Sequence, residues 1–242
     1  MKTLIRFLLP ALIFIFISGC SEDSFMSDQF ESESSESQVI DLSTQNNFTI
    51  ENTNGNILIS TSDTAKNIYC NIAKKVKSNQ SVKDAQDHLS QISINTTKTN
   101  SGVKIKVDHP KNDGRNYEIK FGILMPDKFD YNLNLGNGNV TINSSTCGLV
   151  INIGNGSVDA GLDLMDTCHV SMSIGNGSID LKIPGTTNAL VNATVGNGSR
   201  SNNGLSFQNQ HSNNKQFNGT LGSGVGSVKL NVGNGSIAMS KK

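Results

Sequence analysis

Apolar and polar residues alternate with a period of two through most of the second half of the chain. Five segments end in Gly-Asn-Gly, and in each the residues at every second position before that step are mostly apolar, while those between are mostly polar. This alternation predicts strands with one buried and one exposed face. The five predicted strands span 129–135, 147–153, 168–174, 189–195 and 226–232.

The spacing of the steps predicts the architecture. They begin at Gly136, Gly154, Gly175, Gly196 and Gly233, at intervals of 18, 21, 21 and 37 residues. A period near 20 is typical of repeat proteins, in which each repeat buries its apolar face only against its neighbours. A hairpin meander would also use Asn-Gly turns, but it would reverse the strand order. We therefore predict an all-β fold, a single-stranded parallel β-solenoid (β-helix) whose repeats stack in sequence order.

The turn residues predict a second regular feature. Glycine adopts positive φ without steric cost, and asparagine tolerates it better than most residues. Repeats stacked about 4.8 Å apart would bring their turn amides into hydrogen-bonding contact. The predicted structural turn ladder consists of Asn137, Asn155, Asn176, Asn197 and Asn234.

The N-terminus has the pattern of a targeting segment. Lys2 and Arg6 precede an apolar run over 7–17 that is too short to span a bilayer, which predicts a signal peptide over 1–19. The run ends in Ile-Ser-Gly-Cys at 17–20 and there resembles the lipobox of bacterial lipoproteins. The resemblance implies cleavage between Gly19 and Cys20 and attachment of palmitate and other acyl chains to Cys20. An ordinary secretory signal is the alternative.

A lipid at Cys20 predicts stable membrane anchoring, because several acyl chains hold a protein where one does not. We expect the protein in the cell envelope at the outer membrane, with the periplasmic or surface face left open. Residues 21–45 contain seven acidic residues and neither Lys nor Arg. Low hydrophobicity with charge of one sign predicts that 20–45 is a disordered, Ser-rich tether.

The remainder, 46–242, is predicted to form one domain with 18 basic and 13 acidic residues. The mild basic excess, without Trp or clustered Arg, gives no indication of a nucleic-acid partner. Within it, 46–128 is predicted to form the first repeat and a cap, and 129–242 the Gly-Asn-Gly repeats. Residues 54–57 match 137–140, and Ser81 with Asp84 three residues later predicts the start of a short helix.

The run Phe-Thr-Ile-Glu-Asn-Thr-Asn-Gly-Asn-Ile at 48–57, followed by repeated Gly-Asn-Gly-Ser-Ile/Val, resembles the bacterial putative-adhesin β-helix family. Its members are envelope proteins of unknown function. The resemblance implies the solenoid fold and brings no catalytic, cofactor-binding or metal-binding residues. We therefore expect a non-catalytic binding, adhesin-like or structural module, whose polar face would contact a glycan or another envelope protein.

Two other functions remain as alternatives. Asp159 and Asp180 follow their steps at the same distance and would lie about 5 Å apart, near the separation of retaining glycosidase carboxylates. A polysaccharide-active enzyme is therefore one alternative, although a solvated acid pair or a weak cation site would look the same. The four histidines show no catalytic spacing. The second alternative is an envelope-sensing accessory protein.

The cysteines leave one pairing undecided. Cys147 and Cys168 each precede the next step by seven residues, so they would be neighbours in one inward column. Stacked repeats bring Cα atoms within disulfide range, but parallel Cβ atoms are somewhat far apart. Buried thiols and a disulfide both remain open.

Overall fold

The alternating segments form strands in the computed structural model, which describes residues 29–111, 113–127 and 129–242, apart from the side chains of 144–147 and 165–166. The prediction of an all-β fold with one short helix is confirmed. Gly19 and Cys20 lie outside the described residues. No helix in the described ranges is long and apolar enough to cross a membrane.

The described elements follow one another along the chain. They are β1 (Phe30–Asp41), β2 (Asn47–Asn54), β3 (Ile57–Ser62), β4 (Asn67–Ser78), α1 (Val82–Leu89), β5 (Ser93–Lys98), β6 (Gly102–Asp108), β7 (Asn116–Pro126), β8 (Asp130–Ile183), β9 (Ala189–Asn203), β10 (Gln208–Ser212), β11 (Gln216–Leu221) and β12 (Gly226–Lys241).

The strands form one large mixed sheet in the order β1-β4-β7-β3-β8-β12-β9-β11-β10, from which β2, β5 and β6 branch. The pairs in the middle are parallel, and their register aligns equivalent positions: Asn54 lies opposite Asn137, and Asn176 lies opposite Asn234. Antiparallel strands cover both ends of the parallel stack, β4 and β1 beyond β7, and β11 and β10 beyond β9. The edges of the parallel core are thereby paired rather than open.

The stacking order differs from the order in the sequence. Leu230 of β12 lies opposite Met172 of β8 on one side and opposite Ala193 of β9 on the other, so the last repeat is inserted between the third and the fourth. The expectation that the repeats stack in sequence order is wrong. The inward positions explain the difference, since Ile237 of β12 packs beside Ile179, whereas the corresponding residue of β9 is Arg200. A repeat with polar inward positions is better placed at the outer end of the stack.

The prediction of a disordered tether is wrong for part of its length. The acidic segment that we expected within a disordered stretch over 20–45 forms β1, antiparallel to β4. Its charges are compensated: Glu31 lies 2.8 Å from Lys77, and Glu33 lies 2.5 Å from Lys75. The composition of the acidic segment predicted disorder because composition alone does not show that a basic strand pairs with it. The folded part of the chain therefore includes residues well before 46.

The short helix begins where the sequence predicts. Ser81 is its N-cap, and its Oγ accepts a hydrogen bond of 3.0 Å from the backbone N–H of Asp84. The helix ends at Leu89 and packs on β1 and β4, with Ala85 buried. It lies beside the antiparallel end of the sheet.

Candidate binding surface

The turn asparagines form a continuous row along one corner of the stack. After the first, Asn54, each asparagine donates from its side-chain Nδ2 to the Oδ1 of the preceding one over 2.7 or 2.8 Å. The structure brings together the five predicted residues and adds Asn54 of the first repeat. In spatial order the row is Asn54, Asn137, Asn155, Asn176, Asn234 and Asn197. The row follows the stacking order, so Asn234 precedes Asn197.

The glycines of the steps are required by packing between repeats. The second glycine has positive φ, +147° at Gly156, and a Cβ there would lie 1.8 Å from the carbonyl oxygen of Gly138. The first glycine is also crowded, because a Cβ on Gly154 would lie 2.5 Å from the carbonyl oxygen of Gly136. Close approach of two backbones explains these glycines without any ligand.

A groove of about 540 Å³ follows the first glycines on the outer surface. One wall is a second row of uncharged polar residues, in which Asn152 donates to the Oδ1 of Asn134 over 2.9 Å. One end is closed by the segment that follows β6. We call this feature the glycine groove, and it is lined by Glu51, Thr53, Lys106, Asp108, His109, Lys111, Asn134, Gly136, Asn152, Gly154 and Ser173, among others.

Two ion pairs lie at the β6 end of the glycine groove, which Lys111 also lines. Lys106 Nζ lies 2.8 Å from Asp108 Oδ1, and Lys104 Nζ lies 2.7 Å from Glu51 Oε1. The hydrogen bond from Lys106 holds the pKa of Asp108 below its usual value. Both partners are therefore charged at neutral pH. Along the wall formed by the Gly-Asn-Gly repeats, the groove offers the amide and hydroxyl groups of Asn134, Asn152 and Ser173, which suit hydrogen bonding to a polar molecule.

The two acids of the enzyme hypothesis are brought together, but a lysine lies between them. The stacking of Gly177 on Gly156 sets Asp180 beside Asp159. Lys182 Nζ lies 3.0 Å from Asp159 and 3.7 Å from Asp180, and the hydrogen bond to Asp159 raises the pKa of Lys182. The two candidate carboxylates are therefore partners of one lysine in an exposed ion-pair cluster. In the described part of the chain, no group of three His, Cys, Asp or Glu residues could hold a metal ion.

A polar network fixes α1 to the sheet, and sequence reasoning missed it. Arg115 donates to both carboxylate oxygens of Asp84, over 3.0 and 2.7 Å, and Ser78 Oγ donates to the same carboxylate over 2.6 Å. His88 Nδ1 lies 3.5 Å from Asp84. Arg115 and then Ser78 lower the pKa of Asp84 to about 2. The partners are too far apart in sequence for spacing to reveal them, and their connections indicate a structural role.

This network predicts a pH dependence of stability. The folded-state pKa of Asp84 lies below its unfolded value, so its contribution is full above the unfolded pKa of about 3.9 and is lost as pH falls towards 2. We expect Asp84→Asn to lower stability at pH 7 and to flatten the dependence between pH 2 and 4, measured by urea denaturation. The control is Asp87→Asn, which removes an exposed partner of Lys83 on the same helix. The same flattening in both variants would contradict the role of Arg115.

The cysteines supply no reactive group among the described side chains. Cys70 is 1% exposed, and burial raises the pKa of its thiol to about 12. The thiolate is therefore scarce at neutral pH. Cys168 is also buried, and the side chain of Cys147 lies outside the described residues. The choice between two thiols and a disulfide therefore stays open.

The chain matches no family model and no curated protein. It is similar to a crystal structure of a "putative cell adhesion protein" from Clostridium sporogenes, at 16% identity and a TM-score of 0.61, covering 87% of this chain and all of that one. Two further structures are a "putative lipid binding protein" from Parabacteroides distasonis and a "putative adhesin" from Bacteroides fragilis. Both are 10% identical to this chain and cover 86% of it. The TM-score is 0.29 for the first, with 96% of its chain covered, and 0.27 for the second, with 97% of its chain covered. The chain thus shares its fold with the Clostridium sporogenes protein.

Proposed function

We propose that this protein is a non-catalytic binding module of a bacterial cell envelope, held on the membrane by a lipid at Cys20. The observation that carries the proposal is the row of uncharged amide and hydroxyl groups along one wall of the glycine groove, Asn134, Asn152 and Ser173, with one member in each repeat. A regular array of hydrogen-bonding groups suits an extended polar ligand better than a reaction centre. The shared fold with a protein described as a putative cell adhesion protein supports the same class of function.

A single-stranded parallel β-solenoid is the architecture that best accounts for the repeats. The parallel register, the glycines stacked from one repeat to the next and the asparagine row are all expected of such a fold. Within this proposal the chain departs from a regular solenoid at two places, the inserted β12 and the antiparallel strands at the ends. Membership of the putative-adhesin β-helix family is part of the same proposal.

The lipid anchor would keep the domain close to the bilayer. Nine residues lie between Cys20 and Phe30, where β1 begins. An extended chain of that length reaches about 30 Å. We place the protein at the outer membrane, with a glycan or another envelope protein as the partner on the polar face. The alternative of a polysaccharide-cleaving enzyme is weakened by Lys182, which forms ion pairs with the candidate acids Asp159 and Asp180.

The anchor is tested by Cys20→Ala. We expect this variant to lose palmitate incorporation and to move from the membrane fraction to the soluble fraction, because Cys20 ends the only lipobox-like run in the sequence. The control is Cys70→Ala, in which a buried cysteine is replaced and membrane association should be unchanged. Palmitate labelling that persists in Cys20→Ala would refute the anchoring proposal.

A further inference from the structure

We propose that the outer face of β1, β4, β7 and β3 carries a binding site for an uncharged linear oligosaccharide. This inference rests on the proposed binding function and names its ligand class and a second site. The site is a groove of about 540 Å³, separate from the glycine groove, within the range of small-molecule sites. Its lining includes Ser35, Ser37, Asn71, Gly122, Leu58 and Thr141. We call it the tyrosine groove after Tyr69, which lies two residues from Asn71 on β4.

An exposed apolar ridge lies on the same face as the tyrosine groove, two residues along the strands from its row Ser37, Asn71 and Gly122. Val39 lies opposite Tyr69, and Tyr69 lies opposite Leu124, so the three side chains form a row across β1, β4 and β7. Their exposed fractions are 59%, 38% and 41%. Scattered exposed apolar residues are ordinary, but three side by side around an aromatic ring offer a stacking surface. The C–H face of a pyranose ring packs on such a surface.

The floor of the tyrosine groove is small and polar. Ser37 lies opposite Asn71, which lies opposite Gly122, and Ser37 Oγ donates to Asn71 Oδ1 over 2.7 Å. A Cβ on Gly122 would meet only the Cβ of Asn71, at 4.0 Å. Packing therefore does not require this glycine, although glycine inside a strand is less favourable than alanine. Its effect is to keep the groove open between hydroxyl and amide groups.

The other border of the groove is charged but balanced, which favours an uncharged ligand. The charged lining residues are Glu36 and Lys120; Glu36 lies 3.2 Å from Lys74, and Lys120 lies 3.1 Å from Glu118. These pairs leave little net charge to attract an ion. The row from Ser37 to Thr141 crosses five strands, which spans about 19 Å at a strand spacing near 4.8 Å. A chain of several sugar rings fits that length.

Strand β1 connects this site to the acidic N-terminal segment. It supplies Ser35 and Ser37 to the groove and Val39 to the ridge, yet most of its side chains are exposed, with Ile40 buried. Besides its backbone pairing, it is held by ion pairs such as Glu31–Lys77 and Glu36–Lys74. Raising salt from about 0.1 to 1 M shortens the Debye length from about 10 to 3 Å and weakens such pairs. High salt should therefore weaken the docking of β1. Because β1 lines the groove, the binding even of an uncharged ligand should weaken as well.

The test measures calorimetric binding of cellohexaose, chitohexaose, maltohexaose and mannohexaose to the full-length protein in detergent. We expect at least one to bind, with affinity at least tenfold weaker after Tyr69→Ala, which removes the stacking ring, and after Gly122→Val, which fills the floor. Leu190→Ala is the control, because Leu190 is 57% exposed and lies outside the groove. It should change affinity less than twofold. Wild-type affinity should fall severalfold at high salt.

Three outcomes would overturn the inference. Binding that survives both Tyr69→Ala and Gly122→Val would show that the ligand does not bind in the tyrosine groove, while the proposed binding function would stand. If the protein is folded by circular dichroism and binds none of the four hexasaccharides, the assigned ligand class is wrong, and the anchoring result with Cys20→Ala stands separately. Affinity that is unchanged at high salt would show that binding does not depend on the docking of β1.

Discussion

Gly177→Ala is expected to destabilise the protein by more than about 4 kcal/mol, a loss found only when a substitution cannot be accommodated. Gly177 has a φ of +142°, and an added Cβ would lie 1.6 Å from the carbonyl oxygen of Gly156. The obstacle is backbone in the neighbouring repeat, so no side chain can move away. The stacked repeats would have to separate, which would also break the asparagine row. Denaturation in urea measures the loss.

The matched control is Gly114→Ala. Gly114 also has positive φ, +77°, but nothing lies within 4 Å of the added Cβ. Only the conformational cost remains, about 1–2 kcal/mol for a non-glycine residue in the left-handed region. Equal losses in the two variants would mean that φ alone, and not the contact between repeats, determines the requirement for glycine.

Ending the chain at Gly224 is expected to disorder more than the residues removed. The truncation deletes β12, which is paired with β8 on one side and β9 on the other. Because β9 would lose its parallel partner, we expect β9, β10 and β11 to lose amide protection in hydrogen-exchange measurements. Strands β1 to β7 should keep theirs. In a stack built in sequence order, the same truncation would remove only the last repeat.

The control for the truncation replaces β10, residues 208–212, with a Ser-Gly linker of equal length. Among the described strands, β10 pairs with β11 alone, at the edge of the sheet. Its loss should leave β9 protected through β12. If β9 stays protected after the truncation at Gly224, the inserted position of β12 is wrong.

Local patterns predicted much of the fold because they report on short-range geometry. Alternation before and after each step marked the inward residues, such as Leu133 and Met172, both of which are fully buried. Ser81 marked the start of α1 because a capping hydroxyl acts within three residues. The match between 54–57 and 137–140 indicated that Asn54 and Asn137 occupy equivalent positions.

Only part of the candidate binding surface could be predicted from the sequence. The asparagine row follows from the repeat itself, so its members could be named in advance. The tyrosine groove could not, because Val39, Tyr69 and Leu124 belong to three segments that become neighbours only when β1 pairs with β4 and β4 with β7. The same holds for Lys182, whose position between Asp159 and Asp180 depends on side-chain reach across repeats.

The sequence by itself determined the strands, the glycine turns and the asparagines that meet along one corner, because each depends on a residue and its near neighbours. The tertiary structure decided the order of the repeats and the docking of β1. A strand can pair with any strand of matching register, so the choice depends on which partner best covers its apolar and charged positions. Ile237 required an apolar neighbour that β8 supplies, and the acidic β1 required the lysines of β4.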